Sequence, residues 1–335
     1  MGVPLKPERA PLIQHAIYDV ADWEIDAEFG VFPQGARAKD AVFAPQVPPE
    51  PVLRAGKRYL FKRSKRSYPD QFWGEAIAYR IGCLMGLDVP PAFAAINTRT
   101  GHCAALIEWF YVDGSELFVL GGDLLQQIQK DFDRGRGAQH NLQGVERLMR
   151  VLVHVGMLSQ NWRQWWVEAL LFDALIGNSD RHQDNWGLIF EARNHLLDPP
   201  ALLQCRLAPL FDNGTSLGHE RFPQRVADWT DARLDHYINK GTHHVKSTLG
   251  SGAIQGHLAL LRFALDDWAP HIDRERLRQR MDFDPSDLIS CFADLVQFPM
   301  PVPLTAERMN FLSRLLQRRH RLLVELLDVS APSPR

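Results

Sequence analysis

Hydrophobic positions in the first third of the chain fall into short runs around one helical stripe. Tyr59-Leu60-Phe61-Lys62 is brief and mostly apolar, which predicts a buried strand. A charged stretch follows, and Pro69-Asp70 predicts a helix start. Trp73, Ile77, Ile81, Leu84 and Met85 then recur at helical spacing up to Gly86, a natural stop. The apolar runs 93–96 and 103–109 flank a polar turn at 97–102 and predict a hairpin, which Tyr111-Val112-Asp113-Gly114 leads out of the sheet. The Pro-rich stretch 44–51 predicts a surface loop.

From Gly121 onward the period changes to that of helices, over 123–132, 142–155 and 162–176. Two short apolar runs, 187–190 and 207–211, predict strands within this helical region. Helical periodicity returns at 256–268, 286–298 and 305–327. In the last of these Leu312, Leu315, Leu316, Leu322, Leu323 and Leu326 share one face, with Arg318, Arg319 and Arg321 largely opposite. Trp162, Trp165 and Trp166 sit at helical spacing and read as core packing. The pattern is α+β: a small β-rich lobe over 1–112, a large helical lobe over 113–329, and a disordered tail at 330–335.

Composition narrows the class without choosing a function. The 335 residues are 45% hydrophobic and 23% charged, with 38 Lys and Arg against 40 Asp and Glu. This balance gives no reason to expect direct nucleic-acid binding. No apolar stretch is long enough for a membrane span, and the first residues lack a signal-peptide pattern. Cys83, Cys103, Cys205 and Cys291 lie far apart with no CxxC pair, which excludes a zinc ribbon and a disulfide framework. A cytoplasmic protein is the expectation.

The chemistry concentrates in Gly177-Asn178-Ser179-Asp180-Arg181-His182-Gln183-Asp184-Asn185-Trp186, a polar loop pinned between a hydrophobic helix and a strand. A second polar cluster, Asp212-Asn213-Gly214, ends the next strand. Phosphoryl transfer needs a carboxylate near the acceptor hydroxyl, plus an amide and a second carboxylate to hold Mg²⁺ on a triphosphate. Asp180, Asn185 and Asp212 occur in the order that kinases use for these three parts.

The loop resembles the G-N-[ST]-D-x-H-x-x-N segment of HipA-like kinases and is similar to the D-R-H-x-x-N loop of phosphoinositide kinases. The resemblance implies a bilobal protein-kinase-like fold that uses ATP and Mg²⁺. Asp180 would be the catalytic base, and Asn185 and Asp212 the metal ligands; His182 would contact the transferred phosphate. Lys62 ends a strand and Glu75 lies on the following helix, so by resemblance they form the pair that positions the α- and β-phosphates. Gly35, Ala36, Arg37 and Lys39 fall in what resembles a short glycine-led phosphate loop. No Ser stands between Gly35 and Asp40, so self-phosphorylation of that loop is not supported. Backbone groups of Glu108 and Phe110 occupy the place of the adenine-binding hinge. Asn213 stands where the D-F-G triplet has Phe, which puts a Phe switch in doubt but not metal binding.

The resemblance implies a serine/threonine protein kinase, of the toxin type that pairs with a small antitoxin. The alternatives are a lipid or small-molecule kinase and a non-catalytic nucleotide-sensing module. The basic run Lys57, Arg58, Lys62, Arg63, Lys65 and Arg66 reads as a solvated hairpin in which only Lys62 has a stated partner. Asp184 is expected to face solvent or cap its turn. His243-His244 lack companions at metal-ligand spacing and read as loop residues.

Overall fold

Alternating strands on either side of one buried helix begin the chain: β1 (Tyr18–Asp19), β2 (Glu24–Ile25), β3 (Lys39–Phe43), β4 (Arg58–Arg63), α1 (Trp73–Leu84), β5 (Ala92–Asn97) and β6 (His102–Glu108). Next come β7 (Glu116–Leu120), α2 (Gly121–Ile128), α3 (Leu142–His154), α4 (Trp162–Ile176), β8 (Gly187–Glu191) and β9 (Gln204–Leu207). The remainder is helical, with α5 (Asp231–Lys240), α6 (His257–Asp267), α7 (Arg274–Met281), α8 (Pro285–Ser290) and α9 (Ala306–Asp328). This computed structural model describes residues 10–27, 39–191, 203–218 and 223–328. Among them, no helix is long and apolar enough to cross a membrane. The tail expected at 330–335 lies outside the described residues.

The chain divides into two compact units. One comprises Met1–Trp109, Asn213–Asp235 and Gln279–His320; the other comprises Phe110–Asp212, His236–Arg278 and Arg321–Arg335. The segments Asn213–Asp235 and Gln279–His320 thus pack with the N-terminal segment in the first unit.

The first unit is built on a six-stranded sheet of order β1-β5-β6-β4-β3-β2. It is antiparallel except where β1 runs parallel to β5. Tyr59 and Phe61 of β4 join Tyr18, Val42, Phe93 and Leu106 in one apolar cluster. Strand side chains alternate, so Lys62 projects to the opposite face. On the β5–β6 ladder Ala94 pairs with Ala105 and Ala95 with Ala104; all four are fully buried. Helix α1 packs against these strands and is buried nearly all round, as a uniformly apolar helix must be. It begins at Trp73, a little after the expected start, and stops at Gly86, whose φ of 64° is left-handed. The Leu87 N–H then closes the end on the Gly82 carbonyl at 2.8 Å.

The second unit carries the sheet β7-β8-β9 and the helix α4. Asn161 caps α4 by accepting from the Gln164 N–H at 3.2 Å, and Gly177 ends it in the left-handed region at φ 68°. Trp162 and Trp166 are buried in the core, as their spacing predicts.

Several elements differ from the sequence pattern. β7 was not anticipated, because its run lacks two-residue alternation and a distant partner, β8, fixes it through pairs such as Leu120 with Gly187. β9 lies at Gln204–Leu207 rather than 207–211, since its ladder with β8 ends at the pair Leu188–Leu207. Helices α5 and α7 have little apolar periodicity, and their charges find partners on other elements: Asp231 with Arg314 at 2.6 Å and Arg276 with Glu168. The helix expected at 286–298 breaks at buried Phe292, so that α8 is followed by a 3₁₀ turn, Ala293–Gln297. Arg319 is buried instead of lying on the solvent face of α9.

Candidate active site

In the first unit the Lys62 Nζ lies 2.8 Å from Glu75 Oε1, and both side chains are buried. An isolated buried ammonium is expensive, and a facing carboxylate offsets the cost. Glu75 comes from the first turn of α1 and Lys62 from the end of β4, so a helix and a strand hold the pair rigidly. The other Glu75 oxygen accepts the backbone N–H of Asn213 at 2.9 Å. A single carboxylate therefore positions Lys62 and the residue that follows Asp212. The approach is close: a Cβ on Gly74 would meet the Gly214 Cα at 3.4 Å.

Of the expected phosphate loop, Gly35, Ala36 and Arg37 lie outside the described residues. Lys39 is not in a loop; it opens β3, directly across the ladder from Lys62. Glu108 closes β6, and its N–H donates to the Pro91 carbonyl at 2.8 Å. Of the backbone groups of Glu108 expected at the hinge, the N–H is therefore already committed. The basic run is not uniformly solvated either. Arg58 pairs with Asp26 at 2.8 Å and lies over the Trp109 ring, and Arg63 is 3.5 Å from Asp40.

In the second unit the loop after α4 is organised by Asp173, which sequence reasoning passed over. Its carboxylate is wholly buried and accepts four hydrogen bonds. Oδ1 receives Arg181 Nη2 at 2.7 Å and Asn178 Nδ2 at 3.0 Å, while Oδ2 receives Arg181 Nε at 3.0 Å and His243 Nε2 at 2.9 Å. Burial alone pushes this carboxyl up, but the Arg181 charge and the bonds from His243 and Arg181 hold it well below the ordinary carboxylate range. The signal was available: an Asp inside the apolar helix Trp162–Ile176 must find partners.

Arg181 is equally buried and distributes this anchoring. Its Nη1 donates to the Asn185 carbonyl at 3.0 Å and to the Phe211 carbonyl at 2.6 Å, immediately before Asp212. Asp212 itself adopts a left-handed backbone, φ 56°. The Phe211 ring stacks on Phe110, with centroids 5.2 Å apart, so the ring of the second expected hinge residue belongs to an aromatic cluster.

Asp180 is half-buried, and its N–H is held by Asn178 Oδ1 at 3.0 Å. The Asp180 carbonyl accepts the His182 N–H at 2.7 Å and Asn185 Nδ2 at 2.5 Å. That donation orients the Asn185 amide and leaves its Oδ1 as the oxygen that suits a hard cation. His182 Nδ1 accepts the Asp184 N–H at 3.1 Å. Asp184, partly exposed, pairs with Arg134, which also holds Asp123 at 2.9 Å. The loop histidines are also employed. His243 Nδ1 accepts the Val245 N–H, so its proton lies on Nε2, toward Asp173. From α6, His257 Nε2 donates to the Asn178 carbonyl at 2.9 Å.

The architecture is that of a protein kinase. The crystal structure of the Helicobacter pylori proinflammatory kinase CtkA is similar over 93% of this chain and 96% of that one, with a TM-score of 0.63 and 17% identity. The chain belongs to the HipA-like C-terminal domain family, whose model matches residues 32–264, more than half its length. HipA from Shewanella oneidensis MR-1, solved with HipB and its operator DNA, is similar at 14% identity over 91% of this chain and 69% of that one, with a TM-score of 0.42. The Golgi casein kinase with Mn/ADP bound gives 12% identity over 89% and 72%, also with a TM-score of 0.42. No curated protein sequence matches the chain.

Proposed function

We propose that the chain is an ATP- and Mg²⁺-dependent phosphotransferase whose acceptor is a Ser or Thr hydroxyl of a protein. The observation that carries this reading is Glu75, whose two oxygens hold Lys62 and the backbone beside Asp212. Lys62 binds the α- and β-phosphates, and the carbonyl of Glu108 with the backbone of Phe110 receives adenine. Asn185 Oδ1 and the Asp212 carboxylate are hard oxygen donors of the kind Mg²⁺ takes and would hold it. Such an ion would neutralise charge on the triphosphate. As the acceptor oxygen bonds to phosphorus, the bond to the ADP oxygen breaks and the hydroxyl proton passes to Asp180. His182 contacts the transferred group. Most of the rate gain comes from positioning and preorganised charge.

Family membership supports a protein acceptor, and a small antitoxin that restrains the enzyme is the matching partner. Incubation with γ-labelled ATP, Mg²⁺ and cell lysate, read by mass spectrometry, tests the reading. Asp180→Asn should bind MgATP as the wild type does, yet transfer on the order of 10²- to 10⁴-fold more slowly. A wild type that binds ATP without moving label to any acceptor would leave a nucleotide sensor in its place.

A further inference from the structure

Two histidines from the last third of the chain reach the polar end of α4. His243 lies between α5 and α6, and His257 is the first residue of α6. Both are buried, and their rings meet edge-on with centroids 5.7 Å apart. The segment that carries them is closed on itself. The His243 N–H donates to the Gln255 carbonyl at 2.7 Å, and the Ser247 N–H to the Ile254 carbonyl at 3.0 Å. It is also fastened to the start of α3, where the Leu142 N–H donates to the Lys246 carbonyl at 2.9 Å. The two rings therefore stand on a fixed base.

Their partners fix the ring hydrogens. A backbone N–H only donates, so His243 Nδ1, which takes the Val245 N–H at 3.1 Å, holds a lone pair. An ionised carboxylate only accepts, so the His243 hydrogen is on Nε2, 2.9 Å from Asp173 Oδ2. A carbonyl likewise only accepts, and His257 Nε2 gives its hydrogen to that of Asn178 at 2.9 Å.

The two donations enter different branches of the site. Asp173 Oδ2 is shared by His243 and Arg181 Nε, and Arg181 Nη1 continues to the carbonyls of Asn185 and Phe211. Asn178 instead holds the backbone N–H of Asp180 on its Oδ1 at 3.0 Å. We infer that His243 and His257 are positioning residues with divided tasks: His243 sets the metal ligands Asn185 and Asp212 through Asp173 and Arg181, and His257 sets Asp180 through Asn178. This rests on the phosphotransfer reading above and gives neither histidine a contact with substrate. The Asn178 Nδ2 bond to Asp173 Oδ1, 3.0 Å long, joins the branches, so the tasks are coupled but unequal.

Three measurements test the inference. Ring ¹⁵N spectra of the nucleotide-free protein at mildly alkaline pH, assigned with His243→Gln, should show His243 with its hydrogen on Nε2. The opposite tautomer would overturn the His243 branch. In calorimetry, His243→Met should weaken Mg²⁺-dependent ATP binding by about 10- to 10²-fold, the usual effect of losing a group that orients metal ligands. His257→Met should bind MgATP as the wild type does, yet lose about 10- to 10²-fold in kcat at saturating Mg²⁺, because the base is displaced. A Gln side chain presents an N–H near the former Nε2, so His243→Gln and His257→Gln should each recover most of the corresponding loss. Equal changes in binding and kcat in both Met variants, in step with melting, mark simple packing and sink the inference. Wild-type behaviour of either Met variant, or no recovery in the Gln variants, sinks it too, while transfer by the wild type leaves the phosphotransfer reading standing. No transfer by the wild type removes that reading and the positioning roles together.

Discussion

Asp173 and Arg181 are both fully buried and face each other through two hydrogen bonds, 2.7 and 3.0 Å long. The Nη1 group donates to the carbonyls of Asn185 and Phe211. One ion pair thereby holds the loop of Asp180 and Asn185 to the segment that leads from β9 into Asp212. The pair is the scaffold of this half of the site, and its strength follows from bidentate geometry in a dry interior.

Replacing Asp173 by Asn leaves the buried guanidinium uncompensated. The expected loss of stability is about 3–5 kcal/mol, measured by urea unfolding. The pH profile should carry its own signature. The folded carboxyl lies below its ordinary value of 3.8, so its stabilisation is complete above that value and disappears as pH falls through the depressed folded value. The wild type should lose this contribution only in strong acid, and Asp173→Asn should lack that component.

Glu75→Gln removes the charge opposite buried Lys62, and the same range of about 3–5 kcal/mol applies. Adding Lys62→Met should restore much of the stability, because the unpaired ammonium is gone and the amide oxygen can still accept from Asn213. Activity should not return in the double variant. A double-mutant cycle that combines melting with ATP turnover separates the structural effect from the chemical one.

Asp212 carries a left-handed backbone that Asn tolerates well and Ala poorly. Asp212→Asn should therefore melt like the wild type but lose Mg²⁺-dependent ATP binding in calorimetry. Asp212→Ala should lose the same binding and about 1 kcal/mol of stability besides. Tight MgATP binding by a well-folded Asp212→Asn would remove this residue from the metal site.

Gly82 offers a test of packing against propensity. Ala is favoured over Gly inside a helix by about 1 kcal/mol. A Cβ at position 82, however, would come within 2.4 Å of Val89 Cγ2 in the buried interior. Gly82→Ala should thus be destabilising by about 1–3 kcal/mol in thermal unfolding, against the helix scale.

Local pattern accounts for the elements whose own residues carry the necessary period. Helix α1 up to Gly86, the β5–β6 hairpin and α4 are of this kind, because an apolar stripe or a glycine stop needs no distant partner to be recognised. Asp180, Asn185, Asp212, Lys62 and Glu75 were legible for a different reason: phosphoryl transfer demands those functional groups in that order. Hydrogen bonds bring Lys62 to Glu75 in one unit and Asn185 to Asp180 in the other.

Tertiary structure decided what depends on partners remote in sequence. Strand β7 exists because β8 supplies its hydrogen bonds, and α5 persists as a polar helix because Arg314 and Arg318 face its carboxylates. The Glu108 N–H is spent on Pro91, which no periodicity could indicate. Asp173 has ordinary sequence surroundings; it acquires its role only when folding removes water and leaves its buried oxygens to find counterparts. The sequence determined which chemical groups were available, while burial decided which of them had to pair and which could face a substrate.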